Sequence, residues 1–351
     1  MAPYVACLLI ALTVLVTASS PATTTVQHKG TPAPYDITPE QISQYKSDGV
    51  IIIRGLLQGK ELKNAIRAAK RIDRSKSLAD RLLYKIMKSY GKVQFQTWRT
   101  YPAMEHVAFE SAAPTICAKL MGLNANKRPL RLLKDAFLSF GSGDQGCGWH
   151  VDDKGFWPCE DGKIGQRDAG INVWITLSPV TKEEGGGLTI VPKSHRLNFA
   201  KRARKVIASK GAFSTCLLQT LDPERHEKME LLKSVPDLQP GDAIFHNRYV
   251  FHRAEQFVNS KKHKKKHRIS LRYMPADATF FNNERNVDRV VEVKGLNTGD
   301  ALSKGGEYFP QVWPYRLEEE ATKKVLPDKG FTLGQVLKFS LIKATQKRHD
   351  N

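Results

Sequence analysis

A series of short apolar segments between residues 132 and 273, separated by turn residues, limits what this chain can fold into. Segment 170–179 alternates in character and ends at a proline, as a strand does. Segment 239–246 starts with Gln-Pro-Gly-Asp, a turn sequence, and continues into apolar residues. Further segments lie at 132–140, 188–191 and 268–273. These segments are predicted to be strands.

His150 and Asp152 stand between two of these segments, in the sequence Gly-Trp-His-Val-Asp. On an extended backbone, side chains two residues apart point to the same side, so the imidazole and the carboxylate lie together. A second histidine further along would complete a metal-binding set, and His252 is offered with His246 as its competitor. Two histidines and one carboxylate suit ferrous iron and leave positions for a co-substrate and O2.

This motif does not identify a metal by itself. A histidine and an aspartate at this spacing also occur by chance in solvated loops, and the neighbouring strand segments are what favour a metal site. Zinc binds the same side chains, so the ligand types alone leave zinc as an alternative to iron.

The composition agrees with one globular enzyme. The chain has 351 residues, of which 41% are hydrophobic, and it contains no internal repeat. Its net charge of +20 favours anionic partners. The lysines and arginines are spread along the chain without an RNA-recognition signature, which argues against specific nucleic-acid binding. We expect a small-molecule substrate with some bias toward anions.

The first residues are typical of a targeting leader. Residues 5–16 are apolar and residues 17–20 are small, a pattern that predicts a signal peptide over 1–20 and a secretory location. The apolar run is too short to span a bilayer comfortably, so no membrane span is expected in the mature chain. A membrane anchor or an organelle-targeting leader is the alternative. Residues 21–35 are interpreted as a flexible polar segment.

The cysteines do not decide the compartment. Cys147 and Cys159 flank the His150 motif and could form a disulfide in an oxidising lumen. We favour buried free thiols, because a core of this size needs no covalent support. No Cys-x-x-Cys pair is present, which argues against a structural zinc site.

Helical signals lie outside the strand region. Thr38, Pro39 and Gln41 form a capping-box sequence that predicts a helix to about Lys46, ending near Gly49. Residues 60–90 have helical periodicity, and 316–351 is predicted to be a basic C-terminal helical segment.

Several of these motifs, in their order, resemble one known family. The chain resembles the phytanoyl-CoA dioxygenase (PhyH) family of Fe(II)/2-oxoglutarate-dependent oxygenases from roughly Ile37 to Met274. The motifs that carry the resemblance are Thr38–Gln41, Trp149–Asp152, Val173–Leu177, Val191–Arg196 and His252–Ala254. The resemblance implies a mainly β fold with flanking helices, a double-stranded β-helix or jelly-roll barrel, as the domain of residues 36–315.

The resemblance also implies the cofactors and the site. Fe(II) would be held by His150, Asp152 and His252, with 2-oxoglutarate and O2 as co-substrates and ascorbate as a reductant. The family binds the distal carboxylate of 2-oxoglutarate with an arginine on the strand after the second histidine. We choose Arg268 for this role, with Arg272 and Lys266 as alternatives, because a lysine-rich insertion makes the register uncertain.

Two further co-substrate contacts follow from the resemblance. Trp174 matches a family tryptophan near 2-oxoglutarate, although a core aromatic is an equal interpretation, and Lys134 is a weaker candidate. Ala254 departs from the family, since many relatives have serine there, so another donor must replace that hydroxyl.

The implied reaction is oxidation of a small-molecule or acyl substrate with release of succinate and CO2. Because Asp152 occupies the place that is a small residue in related halogenases, hydroxylation or desaturation is expected. The alternatives are a non-catalytic or zinc-binding jelly-roll protein, and a basic secreted interaction protein in which the His150 motif is accidental.

Overall fold

The computed structural model describes residues 35–75, 91–144, 146, 148–152, 157–159, 170–196, 222–258, 265–281 and 296–314. The predicted leader, nearly all of the polar segment, residues 76–90 of the predicted helical segment 60–90 and the C-terminal segment 316–351 lie outside these residues. The described part of the 60–90 segment is a helix that ends at Arg74, because Ser75 has an extended backbone. Cys147 also lies outside the described residues, whereas Cys117 is a buried free thiol and Cys159 is buried.

Strands dominate the described part of the chain. Seven of them form one antiparallel sheet in the order β1-β6-β4-β8-β3-β2, with β9 paired to β3. β5 and β7 form a second, smaller antiparallel sheet. The strands are β1 Val50–Ile53, β2 Lys92–Phe95, β3 Leu130–Phe140, β4 Ile171–Thr176, β5 Leu188–Ile190, β6 Ala243–Asn247, β7 His252–Ala254, β8 Lys266–Pro275 and β9 Gln311–Trp313.

Helices flank the large sheet. The first begins at the predicted capping box, where Thr38 and Gln41 exchange side-chain-to-backbone hydrogen bonds, and it ends at Gly49 with a φ of 72°. The α-helices are α1 Pro39–Asp48, α2 Gly59–Arg74, α3 Pro102–Phe109, α4 Ala113–Met121 and α5 Pro223–Leu232, with 3₁₀ helices at Thr97–Arg99 and Leu302–Tyr308. No helix of the described residues is long and apolar enough to span a membrane.

The main core lies between the large sheet and these helices. Alternate residues of the central strands, such as Val173, Phe245 and Leu271, are fully buried in the same cluster as Ala65 and Ala69 of α2. Burial of a side chain of this size stabilises the fold by about 1.5–3 kcal/mol. Because strand side chains alternate, the residues between them face the opposite side of the sheet. The predicted mainly β fold with flanking helices is confirmed.

Candidate metal centre

Backbone pairing between two distant segments sets the position of both predicted histidine ligands. His150 and His252 form an antiparallel bridge, in which each backbone N–H donates to the other residue's carbonyl at 3.0 Å. This pairing adds the segment of His150 to the small sheet beside β7. The two imidazole rings consequently lie side by side, with centroids 4.2 Å apart.

Both histidines are oriented by a backbone carbonyl. Nδ1 of His150 lies 2.7 Å from the oxygen of Gly148, and Nδ1 of His252 lies 2.9 Å from the oxygen of Val250. A carbonyl can only accept, so each Nδ1 carries the proton and Nε2 is left as the metal-binding atom. The same arrangement supports metal-binding histidines in many proteins.

Asp152 completes the set. One ligand atom each from His150, Asp152 and His252 lies within 4.8 Å of the other two, and all three residues are buried. Nε2 of His252 is 4.0 Å from Oδ2 of Asp152. Ligand atoms about 2.1 Å from a shared ion can be at most about 4.2 Å apart, so a small contraction brings all three onto one ion.

The carboxylate of Asp152 has an oxygen that fits a bound cation. Its Oδ2 accepts a 2.8 Å hydrogen bond from Nδ2 of Asn172. Its Oδ1 is buried and has no hydrogen-bond partner among the described residues. Buried polar atoms in native structures are nearly always satisfied, and a metal ion would satisfy this one.

The protonation states suit metal binding. Burial, reinforced by the neighbouring His252, lowers the pKa of His150 to about 3, and burial with His246 lowers that of His252 to about 4. Both imidazoles are therefore neutral near pH 7. Burial alone would raise the pKa of Asp152, but the charge of Arg272 and the adjacent histidines hold it below its usual range. The centre thus offers two neutral nitrogens and one carboxylate.

His246, the competitor for the third ligand, lies beside the set and not within it. The ligand atoms that converge belong to His252, while the ring centroid of His246 is 4.4 Å from that of His252. Nδ1 of His246 lies 3.1 Å from the carbonyl oxygen of Asn247. Its Nε2 is buried without a hydrogen-bond partner in the described part of the chain.

A row of polar side chains crosses the large sheet next to Asp152. Asn172 of β4 pairs with His246 of β6 on one side and with Arg272 of β8 on the other, and Arg272 pairs with Lys134 of β3. Residues paired across strands point to the same face. We call His246, Asn172, Arg272 and Lys134 the polar row.

The predicted co-substrate residues separate into two places. Arg268 is buried, and its guanidinium carbon lies 5.6 Å from the ring centroid of Trp174. Lys134 instead pairs with Arg272 in the polar row, four residues further along β8. The structure therefore brings Arg268 and Trp174 together and places Lys134 elsewhere.

Lys266, another candidate for binding the distal carboxylate of 2-oxoglutarate, already forms an ion pair. Its Nζ lies 2.6 Å from a carboxylate oxygen of Glu184 and donates to the carbonyl of Pro179 at 2.8 Å. Arg268 also has a polar contact, since its Nη1 donates to the carbonyl of Gly186 at 3.2 Å. Its role as the co-substrate arginine stays a prediction.

A charged cluster holds the metal-binding segment from outside. The indole Nε1 of Trp149 donates to Glu230 of α5 at 2.7 Å, and the guanidinium of Arg253 lies 5.0 Å from the Trp149 ring centroid. Arg253 also forms ion pairs with Glu230 at 3.0 Å and Glu255 at 3.1 Å. We call Trp149, Glu230, Arg253 and Glu255 the outer clamp, because it joins the residues next to His150 and His252.

Comparison with known families identifies the family to which this chain belongs. The model of the family described as phytanoyl-CoA dioxygenase matches residues 45–265, more than half of the chain. The chain belongs to this family. It is accordingly a 2-oxoglutarate-dependent dioxygenase with Fe(II) as its metal and O2 as co-substrate, and the predicted family and enzyme class are confirmed. A search of curated protein sequences finds no match.

Solved structures support the fold of this family member. SnoK, a non-heme α-ketoglutarate-dependent carbocyclase from nogalamycin biosynthesis, is 21% identical over 79% of this chain and 97% of its own, with a TM-score of 0.57. SnoN, an epimerase from the same biosynthesis, is 20% identical over 79% and 96%, with a TM-score of 0.56. EctD from S. alaskensis, solved with 2-oxoglutarate and 5-hydroxyectoine, is 16% identical over 70% and 78%, with a TM-score of 0.52. The predicted jelly-roll fold is thereby confirmed.

Sequence reasoning missed two parts of this PhyH-family site. The bond from Asn172 to Asp152 joins residues 20 positions apart, and the outer clamp joins Trp149 to a helix 81 positions later. A partial signal was present for the first: Asn172 is a polar residue inside an otherwise apolar strand, and all of β4 is buried. The contact between Trp149 and Glu230 left no periodic signal in the sequence.

Proposed function

We propose that His150, Asp152 and His252 hold Fe(II), and that the protein hydroxylates a small-molecule substrate while 2-oxoglutarate is converted to succinate and CO2. The observation that carries this proposal is the convergence of three buried ligand atoms within 4.8 Å of one another. The oriented Nε2 atoms of the histidines and the unsatisfied Oδ1 of Asp152 support it.

Arg268 binds the distal carboxylate of 2-oxoglutarate in this proposal. A guanidinium presents two parallel N–H groups that match a carboxylate, and burial strengthens the attraction. Arg268 is 2% exposed, and aromatic rings of Phe140 and Trp174 lie 4.9 and 5.6 Å from its guanidinium carbon. Trp174 forms the apolar wall that keeps water from this end of the co-substrate.

The bound iron supplies the oxidative chemistry, and the chain's residues determine where that chemistry acts. Asp152 takes up a coordination position that a halide would need, which favours hydroxylation or desaturation. Asn172 fixes the carboxylate through its 2.8 Å bond. The apolar side chains of Trp174 and Ile244 limit water near the centre, which protects the reaction from side products.

We further propose that the protein enters the secretory pathway, on the strength of the apolar run 5–16 followed by small residues. Cleavage near residues 18–20 would leave the family-matched domain intact, since that domain begins at residue 45. N-terminal sequencing of the protein produced in its own cells tests this; a mature chain that retains residues 1–20 contradicts it.

Succinate formation tests the iron-site assignment. Purified protein with Fe(II), ascorbate, 2-oxoglutarate and a metabolite library should form succinate, and Asp152→Ala should abolish it. His106→Gln serves as the matched control, because His106 is a half-exposed histidine on α3, away from the centre. Retained coupled turnover in Asp152→Ala would reject the assignment. Tight zinc binding without any 2-oxoglutarate turnover would favour the non-catalytic alternative.

A further inference from the structure

Two basic residues of the polar row stand on neighbouring strands, on the sheet face that also carries Asn172 and His246. Lys134 on β3 and Arg272 on β8 are paired across neighbouring strands, and Lys134 is 3% exposed. The charges of both act on Asp152, and that of Arg272 also acts on His150 and His252. This pair is therefore part of the same interior as the metal ligands.

The pair lies too far along the sheet to share the carboxylate that Arg268 binds. Arg268 and Arg272 are four residues apart on β8, and a strand rises about 3.3 Å per residue, which separates them by about 13 Å. Between them lies a less charged row of Ser270, Trp174 and Ile244. This face of the sheet thus carries Arg268 at one end and Arg272 with Lys134 at the other, and the metal ligands lie near Arg272.

Holding two like charges together inside a protein is costly. Burial, with the adjacent charge of Arg272, lowers the pKa of Lys134 well below its usual range, and an oxyanion bound beside it would favour the charged ammonium form again. Iron binding adds two positive charges at this end and takes up the charge of Asp152, which strengthens the attraction for an incoming anion. An oxyanion suits the pair, since arginine offers a planar fork and lysine a point charge.

We propose that Lys134 and Arg272 form a substrate-recognition site for an oxyanion group, a carboxylate or a phosphate, of the molecule that the enzyme oxidises. The inference rests on the proposed function, because it assigns 2-oxoglutarate to Arg268 and leaves the polar row to the substrate. It defines the substrate class as small organic acids or phosphate esters whose anionic group anchors them beside the metal.

Direct binding measurements test this pair. Full-length protein is loaded with Ni(II), which replaces Fe(II) without turnover, and with 2-oxoglutarate. Phenylacetate, phenyl phosphate and the neutral phenylacetamide are then titrated by calorimetry. We expect at least one of the two anions to bind about tenfold or more tightly than the amide. Arg272→Met and Lys134→Met should each weaken that binding by about 10- to 100-fold, since a hydrogen bond to a charged group contributes of that order.

Conservative variants and a second ligand separate the possible causes. Arg272→Lys and Lys134→Arg keep the charge and should retain part of the anion binding, which a folding defect would not allow. Lys119→Met, an exposed lysine paired with Asp36, is the control and should change nothing. The affinity for 2-oxoglutarate, titrated separately, should stay within about twofold in every variant.

Two results would overturn the inference: no preference for either anion over the amide in the wild type, or variants that lose 2-oxoglutarate binding while anion binding is unchanged. The two titrations are read independently. Anion binding that depends on Arg272 in a protein that does not bind 2-oxoglutarate would reject the co-substrate part of the proposed function and keep this inference. Normal 2-oxoglutarate binding without a preference for either anion would reject the inference about Lys134 and Arg272 and keep the proposed function.

Discussion

Asn172 donates a hydrogen bond of 2.8 Å to Oδ2 of Asp152 and thereby connects the large sheet to the segment that carries the metal ligands. The amide itself is fixed, because Oγ of Ser270 on the neighbouring strand donates to its Oδ1 at 2.7 Å. Oδ2 of Asp152 also lies 4.0 Å from Nε2 of His252, and Oδ1 has no hydrogen-bond partner among the described residues. The orientation of the carboxylate is therefore decided by a strand that contributes no metal ligand.

Removing this support should weaken the metal site. Asn172→Ala should raise the dissociation constant for Fe(II) by about 10- to 100-fold, the usual range for loss of a hydrogen bond that orients a ligand. Ser270→Ala removes only the hydrogen bond that holds the Asn172 amide in place. It should raise the dissociation constant for Fe(II) by a smaller factor. Metal titration of the apoprotein measures both; unchanged affinity in Asn172→Ala would contradict the role given to this bond.

Arg268 should control the affinity for 2-oxoglutarate. Arg268→Met should raise the KM for 2-oxoglutarate by about 10- to 100-fold, because hydrogen bonds to a charged group contribute about 1.5–3 kcal/mol. Lys266→Met is the matched control from the same strand, since its ammonium group is paired with Glu184. Kinetics of succinate formation measure both variants. An equal increase in KM for Lys266→Met would contradict the assignment of the carboxylate to Arg268 alone, and an increase for Lys266→Met without one for Arg268→Met would mean that the two roles are exchanged.

The outer clamp should determine how firmly the two metal-binding segments are held. Glu230→Ala removes the hydrogen bond to Trp149 and the ion pair with Arg253, both of which are partly buried. We expect a loss of about 1–3 kcal/mol in the free energy of unfolding together with weaker metal binding. Glu227→Ala, an exposed neighbour on α5, is the control. Thermal unfolding with and without Ni(II) checks this, and an unaltered stability would show that the clamp contributes nothing.

The stability of the metal-free protein should fall in mild acid. Burial lowers the pKa of His150 to about 3 and those of His246 and His252 to about 4, whereas an unfolded histidine has a pKa near 6.5. Between about pH 6.5 and pH 4 the unfolded chain therefore binds more protons, and each histidine reduces stability by up to about 1.4 kcal/mol per pH unit as the pH falls.

Denaturant unfolding of the apoprotein at several pH values measures this slope. His246→Gln should reduce the slope without removing a metal ligand. Bound metal should leave the slope at least as steep, because it holds the other two histidines neutral in the folded state while they still take up protons on unfolding. A stability that stays flat from pH 7 to pH 5 would contradict the neutral buried state of these side chains.

Local sequence patterns predicted a substantial part of this protein. The capping box at Thr38 and the helix end at Gly49 depend on residues within a few positions of each other, and both were confirmed. The His150 and Asp152 spacing works in the same way, because backbone alternation alone places both side chains on one side of an extended segment. The family resemblance supplied His252, which local spacing could not select over His246.

What the sequence determined by itself was the five strands β3, β4, β5, β6 and β8, the first helix and the pair of ligands within one segment, since these follow from backbone geometry over short distances. Only the tertiary structure decided which distant residues meet: the pairing of His150 with His252, the bond from Asn172 to Asp152 and the placement of Lys134 beside Arg272 instead of Arg268. The physical reason is strand register. Register depends on the packing of whole strands against the core, and a shift by one residue would turn every one of these side chains to the opposite face.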